Sequence, residues 1–373
     1  MLLAPAGPLC MKDNEDLLTC IGLAHLAPSL AHLELLSPAI TRLELLALLK
    51  SEGVVNLKDR QSIANASGRM QRGRLSEIVP TIDPILRPGD PRLFLSPFNW
   101  VEANGMAVTA NPGAYFRAAW RTGGNHSGGR VDLVLDSSAA TGPFMTLTYS
   151  IDGQQERRIC LPHGDARACL SLELDAAPRE ERTLLVRVEN SVQQFDRWGS
   201  PTQPLPACSL RLLSVRLPRG AVPLEPRLRK RRLLCFGCSI TEGVSAAYQA
   251  STKGGDLNWN SASSTWAVQA AELLDAEVGI VGFGRQGWSV GGNGNVPCFH
   301  SASEASWQYV YHGAPRNFGT SKSDSAATIV LVLHGTNDGL LGVDRLVMVE
   351  SIAAWLADAR RRLGPEAFLI LVV

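Results

Sequence analysis

The spacing of apolar residues changes twice along the chain and predicts three structural regions. Leucines recur at helical intervals in residues 13–75, which predicts a small domain of short helices. Residues 91–218 hold short apolar runs between turn signals such as Asp152-Gly153, a pattern typical of an antiparallel sandwich or jelly roll. In residues 231–373, apolar strands alternate with helical patterns and predict a doubly wound parallel sheet. The expected fold is therefore multidomain: helical, then all-β, then α/β of the flavodoxin-like type.

Element boundaries follow from the same periodicity. In the all-β region the predicted strands are Gly105–Ala110, Ala114–Trp120, Arg130–Leu135, Phe144–Ile151, Gln155–Cys160, Ala168–Leu174, Arg182–Glu189 and Cys208–Leu217. In the α/β region they are Leu233–Phe236, Glu277–Gly282, Thr328–His334 and Phe368–Val373, with helices at Trp266–Leu274 and Val343–Leu363. Two proline-rich segments, residues 76–90 and 219–230, are predicted to be linkers.

Composition narrows the class of protein without identifying it. The chain has 373 residues, of which 45% are hydrophobic and 19% charged, and its net charge is +1. Such a balance is ordinary for globular domains and gives no strong attraction to nucleic acid or to an anionic membrane. No apolar run approaches the ~20 residues of a membrane span, and no clear signal peptide precedes the first domain. We therefore expect a cytoplasmic protein without a metal or cofactor.

The segment Leu233–Gly243, LLCFGCSITEG, is the most informative motif. An apolar run breaks at Gly237, and Ser239 follows at the start of a helical pattern. This predicts a buried parallel strand that ends in a tight turn, with the serine at the carboxyl end of the strand, where open α/β sheets bind ligands. The N–H groups at the start of a helix can stabilise a negative oxygen at that position.

Two further segments repeat the strand-to-glycine break. Val281–Trp288 reads VGFGRQGW, and Leu331–Asp338 reads LVLHGTND. If all three strands belong to one parallel sheet, their loops meet at the same edge of that sheet. A serine hydroxyl needs a base that takes its proton, and the oxyanion formed from an attacked ester needs N–H donors, each worth about 3–4 kcal/mol of barrier. The three segments supply a hydroxyl and such donors.

The serine, glycine and asparagine blocks, in this order, resemble those of the SGNH (GDSL-type) hydrolases, a family of serine esterases. The resemblance implies that Ser239 is the nucleophile and also donates its backbone N–H. It implies an oxyanion-hole glycine in the second block, for which Gly287 is the first choice and Gly284 the second. In the third block, Gly-x-Asn-Asp, it implies that Asn337 donates its side-chain amide to the oxyanion.

The chain departs from that family in two respects. Cys238 stands where the family usually has aspartate. The family's fourth block, Asp-x-x-His, does not follow the strand predicted at Phe368–Val373. The histidines of the chain are His25, His32, His126, His163, His300, His312 and His334. Since none lies beyond that strand, we expect a C-terminally incomplete α/β domain, a longer product that supplies the Asp/His pair, and little activity from this chain alone.

The order of sandwich, linker and catalytic blocks resembles the two-domain acetylxylan esterases of the same group. This implies a small acyl ester, an O-acetyl group on a carbohydrate, as substrate. Gly284, Trp288 and Asn258 are then candidate substrate-binding residues. The long segment Gly291–Phe318 is expected to lie over the site, because long loops within compact domains are often functional.

The helical region has its own resemblance. Residues 21–66 contain a Gly-Leu-x-x-Leu-Ala-Pro opening, a leucine-rich middle and Gly-Val followed by Leu-x-Asp-Arg, and they resemble a sterile alpha motif domain. The resemblance implies a module that binds a protein partner; another small helical bundle is the alternative. For the whole chain, two function classes remain open. One is a serine esterase, and the other is a non-catalytic carbohydrate- or protein-binding protein on a degenerate hydrolase scaffold.

Overall fold

The computed structural model describes residues 18, 22–26, 30, 42–71, 84–122, 129–140, 145–175, 179–249, 255–301, 304–318 and 327–372. In the N-terminal region a 3₁₀ turn at Ala24–Leu26 precedes helices α1 (Arg42–Ser51) and α2 (Leu57–Gln71). Leu45, Leu49 and Ile63 are buried among the described residues of this region. The helical periodicity is therefore present, and the sterile alpha motif assignment stays a prediction.

The all-β region forms two antiparallel sheets that enclose one apolar core. The strands are β1 (Ile85–Leu86), β2 (Leu93–Leu95), β3 (Val101–Ala103), β4 (Met106–Thr109), β5 (Tyr115–Arg121), β6 (Arg130–Leu135), β7 (Met145–Ile151), β8 (Arg157–Cys160), β9 (Ala168–Glu173), β10 (Glu181–Ser191), β11 (Leu210–Arg216) and β12 (Val222–Leu224). In the described part of the chain, the first sheet has the strand order β3-β4-β11-β6-β9 with β1 also paired to β11. The second has the order β12-β5-β10-β7-β8 with β2 also paired to β5.

The core between the two sheets follows from the alternation predicted in the sequence. Phe116, Trp120, Leu133, Leu147 and Leu184 are fully buried there, because alternate side chains of each strand point inward. Strands β7 and β8 pair antiparallel around the turn that contains Asp152-Gly153, where both residues have positive φ.

Both segments predicted as linkers contribute strands at the sheet margins. Ile85–Leu86 pairs with β11, and Val222–Leu224 pairs with β5. Pro223 lacks a backbone N–H, and it is accommodated because β12 pairs on one side only. The proline content predicts irregular backbone in these segments, but the missing N–H of a proline excludes it only from central strands.

The α/β region is built on a parallel sheet of the predicted kind. The sheet is formed by β13 (Arg231–Gly237), β14 (Ala276–Gly282), β17 (Ala327–Leu333) and β18 (Phe368–Leu371), in the order β14-β13-β17-β18. Two further strands, β15 (Tyr309–Tyr311) and β16 (Ala314–Pro315), pair with each other in a separate sheet. The helices are α3 (Ser239–Glu242), α4 (Asp256–Trp259), α5 (Trp266–Leu273), α6 (Thr336–Leu340) and α7 (Arg345–Leu363). Helix α5 packs on one face of the sheet and α7 on the other, as a doubly wound sheet requires. Within the described ranges no helix has the length and apolar character needed to cross a membrane.

The sandwich covers the outer edge of β14. The Asn99 side chain donates to the Ile280 carbonyl (2.7 Å) and accepts from the Ile280 N–H (3.2 Å), as a neighbouring strand would. Glu277, on the same strand, accepts from the Tyr115 hydroxyl and pairs with Arg117. Edge backbone groups are thus satisfied by side chains of the other domain.

Candidate active site

The strand register brings the three predicted loops to one edge of the parallel sheet. Gly237, the last residue of β13, pairs with Gly282 at the end of β14 and with Leu333 at the end of β17. The residues that follow each strand therefore leave the sheet side by side. These are the turn at Ser239 (the first loop), residues 283–294 (the second loop) and residues 335–338 (the third loop).

The Ser239 turn is built on a close approach that excludes a side chain at Gly237. A Cβ placed at Gly237 would lie 2.0 Å from the Thr241 hydroxyl and 3.0 Å from the Leu333 carbonyl. Cys238 precedes the short helix α3, and half-buried Ser239 is its first residue. Neither the backbone N–H nor the hydroxyl of Ser239 has a hydrogen-bond partner within the described ranges. Both groups are therefore uncommitted in the described structure.

A buried carboxylate joins the Ser239 turn to the second loop. Glu242, at the end of α3, accepts from the Gly284 N–H (2.7 Å) and from Gln193 Nε2 (2.9 Å). Its other oxygen pairs with Arg197. Glu242 and Arg197 are 1% and 0% exposed, so this ion pair is shielded from solvent. Gln193 and Arg197 come from the sandwich segment after β10, so the sandwich takes part in the site.

A second carboxylate joins the second and third loops. Asp338, fully buried in α6, accepts from the N–H groups of Trp288 (2.8 Å) and Ser289 (2.9 Å). A Cβ on Gly287 would lie 2.2 Å from Asp338 Oδ2, so this contact requires glycine at position 287. Asn337 Nδ2 donates to the Gln286 carbonyl (2.9 Å). Asn337 is thereby held against the segment that contains Gly287.

The predicted oxyanion donors differ in what they already bind. The Gly284 N–H is committed to Glu242, and the Gly287 N–H donates to the Val290 carbonyl (3.0 Å). Asn337 uses one amide hydrogen on Gln286, and a primary amide carries two. In this conformation the Ser239 N–H and the second amide hydrogen of Asn337 are the uncommitted donors among the predicted residues.

Trp288 does not line an open site, which corrects the expectation from sequence. It is 3% exposed and packs edge-on against Phe299 and Trp355 in the core between the sheet and α7. The reason is its position: the Trp288 N–H binds Asp338, and the indole turns inward beside the sheet. Most aromatic side chains of the segment Gly291–Phe318 are likewise core residues, since Phe299, Trp307 and Tyr311 are buried.

The remaining candidate ligand contact, Asn258, lies in the segment that follows the Ser239 turn. Asn258 is exposed on the short helix α4. In the same region Tyr248 and Trp259 form an edge-to-face ring pair with centroids 5.4 Å apart. Asp256, which begins α4, accepts from the Gln193 N–H (2.9 Å), so α4 is also hydrogen-bonded to the sandwich.

No described histidine is hydrogen-bonded to Ser239. His334 is buried between Phe299 and Trp288, and burial lowers its pKa to about 3. His312 pairs with Glu304 (2.8 Å) beside Trp198, and burial lowers the pKa of His300. His32 and His126 lie outside the described residues.

Sequence reasoning missed Arg197, Gln193 and Asp338 as parts of the site. Asp338 stands in the Gly-x-Asn-Asp block, and its position beside Asn337 was the available signal. Arg197 and Gln193 lie in a loop of another domain, and nothing in their sequence neighbourhood points to the Ser239 turn.

Comparisons by sequence return nothing: no family model and no curated protein matches the chain. Solved structures do match. A family two carbohydrate esterase from Cellvibrio japonicus is 18% identical, with 77% of each chain covered and a TM-score of 0.59. The acetyl xylan esterase Est2A from the rumen bacterium Butyrivibrio proteoclasticus is 16% identical, with 78% of this chain and 80% of that chain covered and a TM-score of 0.57. An active-site mutant of a family two carbohydrate esterase from Clostridium thermocellum is 14% identical, with 75% and 76% covered and a TM-score of 0.55.

These likenesses establish the fold. The chain has the architecture of two-domain carbohydrate esterases, with a β-rich part followed by an α/β sheet, as the resemblance in the sequence predicted. At identities below a fifth, the comparison leaves the chemistry to be argued from the residues themselves.

Proposed function

We propose that the chain is a serine esterase of the SGNH type that acts on small acyl esters, O-acetyl groups on carbohydrate in particular. The observation that carries the proposal is the meeting of three loops at one sheet edge. They bring together half-buried Ser239, whose hydroxyl and backbone N–H make no hydrogen bond in the described structure, the segment that contains Gly287, and Asn337 bound to that segment. The likeness in fold to an acetyl xylan esterase and to family two carbohydrate esterases supports the substrate class.

The proposed chemistry assigns one role to each group. Ser239 Oγ attacks the ester carbonyl carbon as its proton passes to a general base, a group that no described side chain supplies through a hydrogen bond to Ser239. The base then gives the proton to the alcohol oxygen as the C–O bond breaks. The Ser239 N–H and the Asn337 amide donate to the oxyanion, and Gly287 joins them if its N–H turns away from Val290. Water then hydrolyses the acyl-serine to the free acid and restores the hydroxyl.

A second candidate function is carbohydrate binding without catalysis. It is favoured by one observation: within the described residues Ser239 has no hydrogen bond to a base, and an unactivated serine hydroxyl is a weak nucleophile. The exposed rim around Tyr248 and Trp259 would then contact the ligand. The N-terminal helices are proposed to bind a protein partner in either case.

Labelling with a fluorophosphonate separates the two functions. The probe is added to the 373-residue chain and the modified peptide is identified by mass spectrometry. Labelling at Ser239, lost in Ser239→Ala and retained in the control Ser264→Ala, is the expected result for the esterase. A chain that binds acetylated xylan oligosaccharides but never reacts at Ser239 would support the second candidate.

The oxyanion donor is tested separately. The turnover of p-nitrophenyl acetate by the wild-type chain is expected to be small, because no described side chain is hydrogen-bonded to Ser239 as a base. Asn337→Ala is expected to lower that turnover by a further factor of about 10²–10³, because it removes a preorganised donor. Thr336→Ala changes the exposed neighbour and serves as the matched control. Equal turnover in both variants would remove Asn337 from the proposed machinery.

A further inference from the structure

We propose that Glu242 and Arg197 are positioning residues that hold the Ser239 turn against the second loop. Through them the sandwich becomes a working part of the site. The inference rests on the proposed function of Ser239. It concerns the Glu242 clamp, which consists of Glu242, Arg197, Gln193 and the Gly284 N–H.

The clamp joins three pieces of chain that carry or flank the candidate chemistry. Glu242 ends the four-residue helix that Ser239 begins, so the carboxylate is one helical turn from the hydroxyl. Its oxygens receive the Gly284 N–H from the second loop, three residues before Gly287, and the side chains of Gln193 and Arg197 from the sandwich. Movement of Glu242 would therefore change the distance between Ser239 and the second loop.

The surroundings leave the clamp little freedom. A Cβ on Gly282 would lie 2.5 Å from the Glu242 backbone nitrogen, and one on Gly284 would lie 2.3 Å from Gln193 Nε2. The Arg197 guanidinium stacks over the Phe283 ring at 5.1 Å, and the Arg197 N–H donates to the Gly294 carbonyl (2.9 Å). Arg197 thus contacts the second loop on both sides of Gly287.

A second buried carboxylate at the same domain boundary supplies a control. Glu189 of β10 is 1% exposed and accepts from Ser261 (2.6 Å), Ser263 (3.0 Å) and Arg158 (3.0 Å). It ties the sandwich to the segment before α5 and has no hydrogen bond to the second loop in the described structure. A purely structural role for buried interdomain carboxylates predicts similar behaviour for Glu189 and Glu242, whereas a positioning role does not.

Two double variants separate the loss of the Glu242 hydrogen-bond acceptor from the loss of the buried ion pair. Arg197→Met/Glu242→Gln and Arg197→Met/Glu242→Leu both remove the buried ion pair, a change that well-packed apolar replacements often tolerate. Only the glutamine keeps an oxygen for the Gly284 N–H. The matched control is Arg158→Met/Glu189→Leu, which removes the ion pair of the second buried carboxylate. Urea unfolding of all three variants first checks that each folds.

The first readout is the rate at which a fluorophosphonate labels Ser239. The glutamine pair is expected to react within about threefold of wild type, and the leucine pair about 10²-fold more slowly, the size of effect that a small misplacement of reacting groups produces. Arg158→Met/Glu189→Leu, which removes the other buried carboxylate and its arginine partner in the same way, should react at the wild-type rate. Equal labelling rates in the two double variants would overturn the positioning role.

The second readout does not depend on reactivity. Hydrogen exchange followed by mass spectrometry reports the protection of peptides that span residues 282–287. The leucine pair should exchange faster there than the glutamine pair, while the rest of the α/β sheet exchanges alike. If wild-type chain is never labelled, the esterase proposal fails by itself, and equal exchange in the two pairs would then overturn the clamp independently.

Discussion

The two edge strands of the parallel sheet, β14 and β18, differ in what they contact. Along β14, polar side chains of the sandwich meet the strand: Asn99 bonds both backbone groups of Ile280, and Tyr115 and Arg117 meet Glu277. The edge at β14 is the covered edge. The edge at β18, a strand that pairs with β17 alone among the described strands, is the open edge. Along β18, Leu369 and Leu371 pack toward α7, whereas Phe368 and Ile370 are 64% and 45% exposed.

The same difference is seen in how the loops of the candidate site are attached to the rest of the molecule. The Ser239 turn and the second loop leave the sheet near the covered edge, and the sandwich fastens them through Glu242, Asp256 and Gly294. The segment with Asn337 leaves from β17, nearer the open edge, and is fastened only through Asp338 and Gln286 in the described structure. We expect substitutions at the covered edge to disturb the molecule far more than those at the open edge.

The greatest loss of unfolding free energy is expected from a substitution at Glu277. Glu277→Ala leaves Arg117 and the Tyr115 hydroxyl without their buried acceptor and should lower the free energy of unfolding by about 4 kcal/mol. Urea unfolding followed by tryptophan fluorescence measures this loss. Glu366→Ala, at an exposed position beside β18, is the control and should stay within about 0.5 kcal/mol of wild type. Similar losses in both variants would contradict the comparison.

Asn99→Leu comes next. It keeps the volume but leaves the N–H and carbonyl of Ile280 without partners at a buried edge, which should cost about 3 kcal/mol of unfolding free energy. The same urea experiment measures it. Hydrogen exchange should rise at Ile280 before it rises in β17, and unchanged exchange at Ile280 would show that Asn99 does not protect this edge.

His334 links stability to pH in the half of the sheet nearer the open edge. Because burial holds its folded-state pKa at about 3, below the usual 6.5, the unfolded chain binds the proton more readily between these values. Stability should therefore fall as the pH drops below 6.5, by about 2 kcal/mol between pH 7 and pH 5. His334→Phe suits the aromatic surroundings and should remove this part of the pH dependence. Parallel stability profiles for the variant and wild type would contradict the assignment.

The smallest effect is expected at the open edge. Phe368→Gln replaces an exposed apolar side chain and should change the free energy of unfolding by less than about 0.5 kcal/mol. Urea unfolding at matched protein concentration measures it. A loss above about 2 kcal/mol would mean that something covers this face in solution, and sedimentation velocity of the two chains would reveal a second copy.

Much of the fold could be predicted because its elements follow local periodicity. The four strands predicted for the parallel sheet all form, and helices predicted at Trp266–Leu274 and Val343–Leu363 form at Trp266–Leu273 and Arg345–Leu363. Short marginal strands such as Val222–Leu224 were missed, because two or three residues paired at an edge leave no periodic signal. The strand predicted at Phe368–Val373 forms at Phe368–Leu371, and only its alternate residues Leu369 and Leu371 pack toward α7.

Local patterns were enough to identify residues that could carry chemistry: Ser239, Gly287 and Asn337 each follow an apolar strand, and strand ends of a parallel sheet converge. Tertiary structure decided what those residues touch. Whether Trp288 faces a ligand or the core, whether the Gly284 N–H is free, and that Arg197 lies beside Glu242 are facts of packing between distant segments. Such contacts depend on the spatial meeting of side chains far apart in the chain, and local patterns carry no information about that meeting.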